Sequence, residues 1–496
     1  MTSVCHSLKG LLRDLVDVPS VLDTWLYGLT ADSRRVRPGM AFLALAGETA
    51  GSWTHVPDAV ARGASAVLLD SDRTEQAYEY GNSVVVPVQS LRTRAAELAD
   101  HFYDHPSSRL SVVGVTGTNG KSSVTTFLAQ LLNRCGVPAA TIGTLGYGFA
   151  PTLEEASHTT PDVVRVHELL GRFCSEGARA VVMEVSSHAL DQGRVNRVRF
   201  AGGIFTNLSS EHLDYHGTME HYGNAKAQLF EIFEPEFAVI NVDDAFGVEL
   251  SERLSADVRL LRYGMTARSP ELFIHEPNAG SNGMEATVDT PLGKLELNTR
   301  LMGAFNISNM TAAAGAALAM GIPVADIQAA APTVTAPPGR LEAYRAPSGL
   351  RVVIDYAHTE HALETALTAL RPHAEEAVWC VFGCGGNRDT AKRPAMGGVA
   401  ERLADRVVVT DDNPRDEAPA AIVEQILAGM NRPDEVRVIH DRLEAITTVI
   451  AEAGGQDLIL IAGKGHERVQ ERAGERIPFS DVDVVRELLG YEGDAA

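Results

Sequence analysis

Cationic side chains are scarce in this chain: 43 Lys and Arg stand against 65 Asp and Glu, for a formal net charge of −22. That deficit excludes a broad basic face for nucleic acid. Any anionic substrate must therefore be held locally, by Lys, Arg and backbone N–H groups, against the overall field. Cysteine is sparse as well. Cys5, Cys135, Cys174, Cys380 and Cys384 form no CxxC pair and no disulfide framework, and Cys380 and Cys384 have no Cys/His set of zinc spacing beside them. Reduced thiols in core or loop positions are the expectation. No apolar run approaches the length of a membrane span, residues 1–14 lack the apolar stretch of a signal peptide, and there is no short-period repeat or low-complexity tract. The expectation is a cytoplasmic monomer that acts on small molecules, with no nucleic-acid partner and no membrane insertion.

What is present is a chain of 496 residues, long enough for about three domains. Short apolar runs at 41–45, 66–69 and 83–88 alternate with helical patterns and predict a small N-terminal α/β domain over residues 1–105. Strand candidates at 110–116, 180–185, 203–207 and 237–242 predict a central domain over 106–337. This central part reads as a P-loop-type, mostly parallel sheet with helices on both faces. Residues 286–301 alternate as a hairpin or short antiparallel strands would, and an Ala-rich helix is predicted over 309–320. Past the Pro-Pro-Gly segment at 337–339, strands at 352–355, 377–382, 406–410, 436–439 and 457–462 predict a C-terminal Rossmann-like α/β domain over 338–496. In such open sheets ligands bind beyond the carboxyl ends of strands, where Asp355, Gly383, Asp411 and Gly463 stand.

The most informative run is Ser111-Val112-Val113-Gly114-Val115-Thr116-Gly117-Thr118-Asn119-Gly120-Lys121-Ser122. An apolar strand enters a glycine turn, and a lysine and a hydroxyl residue open a helix. The inner face of that helix is marked by Val124, Phe127, Leu128, Leu131 and Leu132 at i, i+3, i+4, i+7 and i+8. Backbone N–H groups in such a turn converge, and the helix N-terminus adds a positive dipole end. Lys121 can reach the β/γ-phosphates of a nucleoside triphosphate and Ser122 the Mg²⁺ that bridges them. The common P-loop pattern wants glycine where Val115 stands, so this is a variant phosphate loop. Glu184 ends a neighbouring strand, where a Mg²⁺-binding acid belongs. His212 follows a third strand and is a candidate metal ligand.

Further strings run through the chain: GTNGKSS at 117–123, TTPD at 159–162, MEVSSHALDQGRV at 183–195, TNLSSEHLDYHGTMEHYGNAKAQLF at 206–230, GAFNISN at 303–309 and PPGRLE at 337–342. DYAHT at 355–359, VFGCGGNRD at 381–389, DDNPRDE at 411–417 and AGKGHE at 462–467 follow. Together they resemble the Mur ligases, from about residue 32 to the C-terminal helix. The resemblance implies an ATP-dependent amide-bond ligase of peptidoglycan synthesis working through an acyl phosphate, with ATP and Mg²⁺ as cofactors. It implies that Lys121, Glu184, His212 and Lys226 are catalytic. Ser122, Glu184, His212 and Lys226 would hold metal, Lys226 as a carbamate; the bland alternative for Lys226 is a surface lysine on a helix. ATP would be contacted by Gly117, Thr118, Asn119, Gly120, Lys121, Ser122, Ser123, Asn306, Asn309, Arg340 and Asp355. Ser33, Thr159, Thr160, Ser186, Gln192 and Arg194 would hold a UDP-linked muramoyl dipeptide.

The segment Asp412-Asn413-Pro414-Arg415 resembles the diaminopimelate-adding branch. Diaminopimelate ends in a distal carboxylate that an arginine can take bidentately. Arg388, Asp412, Asn413, Arg415, Gly463 and Glu467 would bind this amino acid. Three places depart from the family pattern: Glu48-Thr49-Ala50-Gly51-Ser52 in the N-terminal substrate loop, Glu360-His361 after DYAHT, and Glu211 before His212. They leave a second reading, a paralogous ligase joining the same kind of amino acid to another carboxylate. A folylpolyglutamate-synthetase-like activity and a non-catalytic nucleotide-binding regulator are weaker alternatives.

Overall fold

Apolar runs five or six residues long, too short for helices and bounded by turn residues, become buried parallel strands. A computed structural model describes residues 5–45, 51–72, 76–266 and 270–491. The departure at Glu48 therefore lies outside the described residues. The chain forms two compact units, residues 1–262 with 315–320 and residues 263–314 with 321–496.

The first unit holds two large sheets besides the short antiparallel pair His6–Ser7 and Trp25–Leu26. In the N-terminal one, Gly28–Thr30, Met40–Ala44, Ala66–Asp70 and Ser83–Val88 lie parallel in that order, and Tyr78–Tyr80 closes the edge antiparallel. In the larger one seven of the strands lie in the order Thr152–Glu154, Gly146–Phe149, Ala139–Gly143, Ala180–Glu184, Ser111–Thr116, Gly202–Phe205, Phe237–Asn241. The last five run parallel, with Val112 opposite Val181 and Gly114 opposite Met183. Val112, Val113, Val115, Val181, Val182 and Met183 are all fully buried, as continuous apolar strands covered on both faces must be. The helix Lys121–Arg134 buries the five residues of its expected inner face. Gly114 is required by packing: a Cβ there would stand 2.9 Å from the Phe200 ring and 3.0 Å from Leu229 Cδ1.

In the second unit a six-stranded sheet runs Glu342–Arg345, Arg351–Asp355, Leu458–Ala462, Val378–Phe382, Arg406–Val409, Arg437–Val438, parallel except for the first. Alternate residues divide between two cores. Val353, Leu460, Cys380 and Phe382 face one, and Val352, Ile354, Ile459 and Ile461 face the other, the period-2 alternation of a sheet.

Differences from the sequence reading are local. The expected hairpin is Gly283–Thr290 with Gly293–Thr299. The Ala-rich helix begins earlier, spanning Ala304–Ala319, and the strand expected at 436–439 shrinks to the exposed pair Arg437–Val438. Ala139–Gly143 and the antiparallel strands Gly146–Phe149 and Thr152–Glu154 beyond it were not anticipated, because alanine and glycine carry little strand propensity and burial decided instead. All five cysteines are free. Among the described residues no helix is long and apolar enough to cross a membrane.

Candidate active site

The phosphate loop is built by close approach. Gly117 has φ +146° and a Cβ there would fall 1.9 Å from Thr206 Oγ1; Gly120, at φ +85°, is the N-cap of the helix it opens. Only glycine takes both positions without strain. The loop is tied to the end of the neighbouring strand. The Thr118 N–H donates to Asn207 O at 2.8 Å, the Asn119 N–H to Asn207 Oδ1 at 2.9 Å, and Thr206 Oγ1 donates to Asn119 O. Lys121 curls back over the loop, its ammonium on Gly117 O at 2.9 Å and Thr118 O at 2.8 Å. Ser123 lies one position on and is half-buried.

Glu184 is buried and its carboxylate is met from two sides. Ser122 Oγ donates to it at 2.9 and 3.0 Å, and the Thr144 N–H donates at 2.8 Å. A serine hydroxyl and a carboxylate at a phosphate loop are hard oxygen donors, the kind Mg²⁺ takes. The sequence reading brought Ser122 to Glu184 but missed Thr144. Its signal was the strand end Gly143-Thr144 beside Glu184, invisible until that strand is placed.

Lys226 is buried, so the surface-lysine alternative fails. It sits on the helix Met219–Glu231 with its Nζ donating to Gly117 O at 2.9 Å and lying 4.2 Å over the Tyr222 ring. Burial holds the ammonium well below its ordinary range, and the Lys121 charge adds to the effect. Tyr222 was also missed. Its phenol meets Thr118 Oγ1 at 3.2 Å, and its position four residues before Lys226 on a helix was the readable signal.

His212 takes a left-handed backbone conformation at φ +56° and is half-exposed. Its ring packs on that of His188 at 4.9 Å between centroids, and Glu211 keeps a carboxylate 3.8 Å from its Nε2. The departure at Glu211 thus still sets an acid beside the imidazole. Among the described residues, no three His, Cys, Asp or Glu side chains are assembled as a metal site.

The residues assigned to the muramoyl substrate form a connected rim. Thr159 Oγ1 meets Thr144 Oγ1 at 3.0 Å, and Thr160 Oγ1 donates to Glu184 O at 2.8 Å while accepting from the Ser186 N–H at 3.1 Å. Arg194 donates to Thr160 O and to Gln192 Oε1, each at 3.0 Å. Ser33 is apart from this network, buried in the turn Ser33–Arg35 that Asp32 caps.

In the second unit, Asp355 accepts the N–H groups of Leu341 at 2.8 Å and Ala357 at 2.9 Å, yet burial pushes its carboxyl above the ordinary range. Arg340 lies 4.8 Å over the Tyr356 ring. Asn306 and Asn309 are buried and joined at 3.2 Å. Glu360-His361 falls in the first turn of a helix capped by Thr359, where an acid suits the dipole.

The amino-acid residues come together only in part. Asn413 donates to Glu467 Oε2 at 2.8 Å, and Gly463, at φ +117°, leaves room for Asp412 Oδ2, which would be 2.6 Å from a Cβ there. Burial pushes the Asp412 carboxyl up. Arg415 is engaged by Glu471 Oε2 at 2.9 Å and donates to Gly386 O at 2.8 Å, whereas Arg388 is exposed. Sequence reasoning missed Lys464, which is fully buried. Its ammonium donates to Asn413 Oδ1 at 3.1 Å, Glu467 Oε2 at 3.0 Å and Val469 O at 2.7 Å. A lysine enclosed by two glycines in AGKGHE was the signal.

Comparison with known proteins agrees along the whole chain. Residues 26–103 match the Mur ligase family catalytic domain, 115–317 the Mur ligase middle domain, and 339–465 the Mur ligase glutamate ligase domain. A UDP-N-acetylmuramoyl-L-alanyl-D-glutamate–2,6-diaminopimelate ligase of Ectopseudomonas mendocina is 48% identical over 461 residues, 93% of this chain and 94% of that one. The ligase of the same name from Pseudomonas aeruginosa is 46% identical over 94% of this chain and 96% of its own. A solved structure of such a ligase superposes with a TM-score of 0.71 at 34% identity, covering 94% of this chain and 95% of its own. With the loop, the buried acid and the buried lysine in place on that fold, the chain belongs to the Mur ligase family.

Proposed function

We propose that this protein joins diaminopimelate to the D-glutamate carboxylate of UDP-N-acetylmuramoyl-L-alanyl-D-glutamate with cleavage of ATP to ADP and phosphate, in the cytoplasm. The carrying observation is near-full-length similarity to ligases of that name in a chain that keeps Lys121, Ser122, Glu184, His212 and Lys226. The parts 1–105, 106–337 and 338–496 would serve the UDP substrate, ATP and the amino acid respectively.

A carboxylate is a poor acyl donor, and phosphorylation supplies the leaving group. A substrate carboxylate oxygen forms a bond to the γ-phosphorus as the bond to the ADP oxygen breaks. The amine nitrogen then attacks the acyl carbon, the bond to the phosphate oxygen breaks, and the amine loses its proton. Lys121 and the loop N–H groups offset charge on the transferring group. Ser122 and Glu184 would hold one Mg²⁺ and His212 a second, and Mg²⁺ when bound supplies charge neutralisation between two anionic reactants. Lys226 fits the role of a carbamate: burial favours the neutral amine that can attack CO₂, and the product is an anionic oxygen donor suited to a hard cation. Asn306, Asn309, Arg340 and Asp355 would contact ATP. Thr159, Thr160, Ser186, Gln192, Arg194 and Ser33 would hold the UDP substrate. Arg388 and Arg415 would take the distal carboxylate of diaminopimelate, with Asp412, Asn413, Gly463 and Glu467 around its ammonium.

Phosphate release by the purified protein tests the reading. Release that requires ATP, the UDP-linked dipeptide and diaminopimelate together supports it. Release with diaminopimelate and only some other acid transfers the reading to a paralogous ligase. No release with any pair, despite ATP binding, removes it.

A further inference from the structure

Arg393 is among the largest fully buried side chains of the described residues, and the reaction outlined above gives it no task. It projects from the helix Lys392–Leu403, and its guanidinium grips Glu417 with two parallel bonds, Nη1 to Oε2 at 2.8 Å and Nη2 to Oε1 at 2.9 Å. It also donates to Gly385 O at 3.1 Å and Gln425 Oε1 at 2.8 Å. The same Glu417 carboxylate accepts the backbone N–H of Asn387. Arg393 and that N–H together hold the Glu417 carboxyl below its ordinary range. Asn387 answers with its own side chain, accepting from the Asp416 N–H at 3.1 Å.

The segments at 385–388 and 413–417 are thus stitched together from behind. They also touch directly: the Gly386 N–H donates to Asn413 O at 2.9 Å, and a Cβ on Gly386 would fall 1.9 Å from Pro414 O. Both segments carry a non-glycine residue in the left-handed region, Asn387 at φ +53° and Arg415 at φ +52°. Such residues persist only where their surroundings over-determine them. The Arg393–Glu417 pair supplies that constraint, and the strained positions are Arg415 itself and the neighbour of Arg388.

We infer that Arg393 and Glu417 are positioning residues that hold the 385–388 and 413–417 segments in the conformation presenting Arg388 and Arg415 to the distal carboxylate of the incoming amino acid. The inference rests on the assignment of those two arginines made above. Neither Arg393 nor Glu417 is expected to touch substrate. Their loss should weaken capture of the amino acid and spare the phosphorylation of the other substrate.

Glu417→Gln keeps the shape of the side chain but puts an amide donor where Arg393 or the Asn387 N–H needs an acceptor. The KM for diaminopimelate should rise about tenfold, the worth of one charge-assisted bond, while kcat and the KM values for ATP and the UDP-linked dipeptide stay within about twofold. Arg393→Lys, which keeps the charge and loses the fork, should give the same split, and thermal melting reports whether each variant is folded. An unchanged KM for diaminopimelate in folded variants overturns the inference. So does a parallel loss across all three substrates, which marks a general structural role. Arg415→Ala separates the two layers: if it leaves the KM for diaminopimelate unchanged, the assignment of the arginine fails, whatever Glu417→Gln does.

Discussion

Lys226 in the first unit and Lys464 in the second are both buried, and their surroundings make them opposites. Lys226 has a backbone carbonyl and a tyrosine face, with Lys121 as a nearby like charge. Lys464 has the Glu467 carboxylate, the Asn413 amide oxygen and a carbonyl. Burial penalises charge in both places, but only the second offers a counter-ion in contact. The first site therefore favours a neutral, nucleophilic amine. The second sets a lysine against a carboxylate, where it orders two side chains proposed to bind substrate. A buried lysine is thus read by its partners, and the two sites predict different consequences when the lysine is removed.

The largest effect should be on turnover at Lys226. Lys226→Ala removes both the amine and any carbamate, and kcat should fall about 10²–10³-fold, the usual scale for losing one charge-stabilising group. Formate or acetate should restore part of the rate by supplying the missing carboxylate oxygens. Wild-type turnover without added acid would end the carbamate assignment. At Lys464 the expected damage is to the fold: Lys464→Met strands Glu467, and because that carboxylate is about a third exposed the cost should be about 2–3 kcal/mol, below that of a fully buried pair. Chemical denaturation measures it, and equal stability of the Met variant would break the comparison. Arg415→Ala should cost about 2 kcal/mol in kcat/KM for diaminopimelate, through lost charge-assisted bonds. Steady-state kinetics with diaminopimelate varied checks it.

The legible half of the site was local in sequence. Gly117, Gly120, Lys121 and Ser122 declare a phosphate loop because turn, helix start and ligand groups fall within six residues. Most of the parallel strands were legible for the same reason, since each of those is one apolar run. Lys226 was found through its motif and Glu184 through its place at a strand end, but neither signal says that Lys226 is buried or that Thr144 meets Glu184 across 40 residues of chain. That contact depends on Ala139–Gly143 lying beside Ala180–Glu184, a strand whose alanines hide it. Lys464 and Arg393 were passed over for a related reason: charged residues are expected at the surface, and the partners that make burial tolerable, Glu417 for Arg393 and Glu467 with Asn413 for Lys464, show only in the folded chain.

A change spread over pH, at most about 1.4 kcal/mol in any one unit, tests the charge on Lys226 directly. If the folded protein holds this amine neutral and the unfolded chain titrates it near the ordinary value of 10.5, the unfolded state binds the extra proton at every pH between the depressed value and that one. Stability then rises with pH across the window, because the state that binds more protons is the one disfavoured as protons become scarce. The slope from one group is at most about 1.4 kcal/mol per pH unit. Lys226→Met lacks the group, so subtracting the unfolding free energy of the variant from that of the wild type cancels every other titration the two share. Measured in CO₂-free buffer, the difference should climb in favour of the wild type from about pH 8 to about pH 10. A flat difference would mean that the buried amine keeps its proton. Lys226 would then be a structural cation, and the contrast between the two sites would collapse.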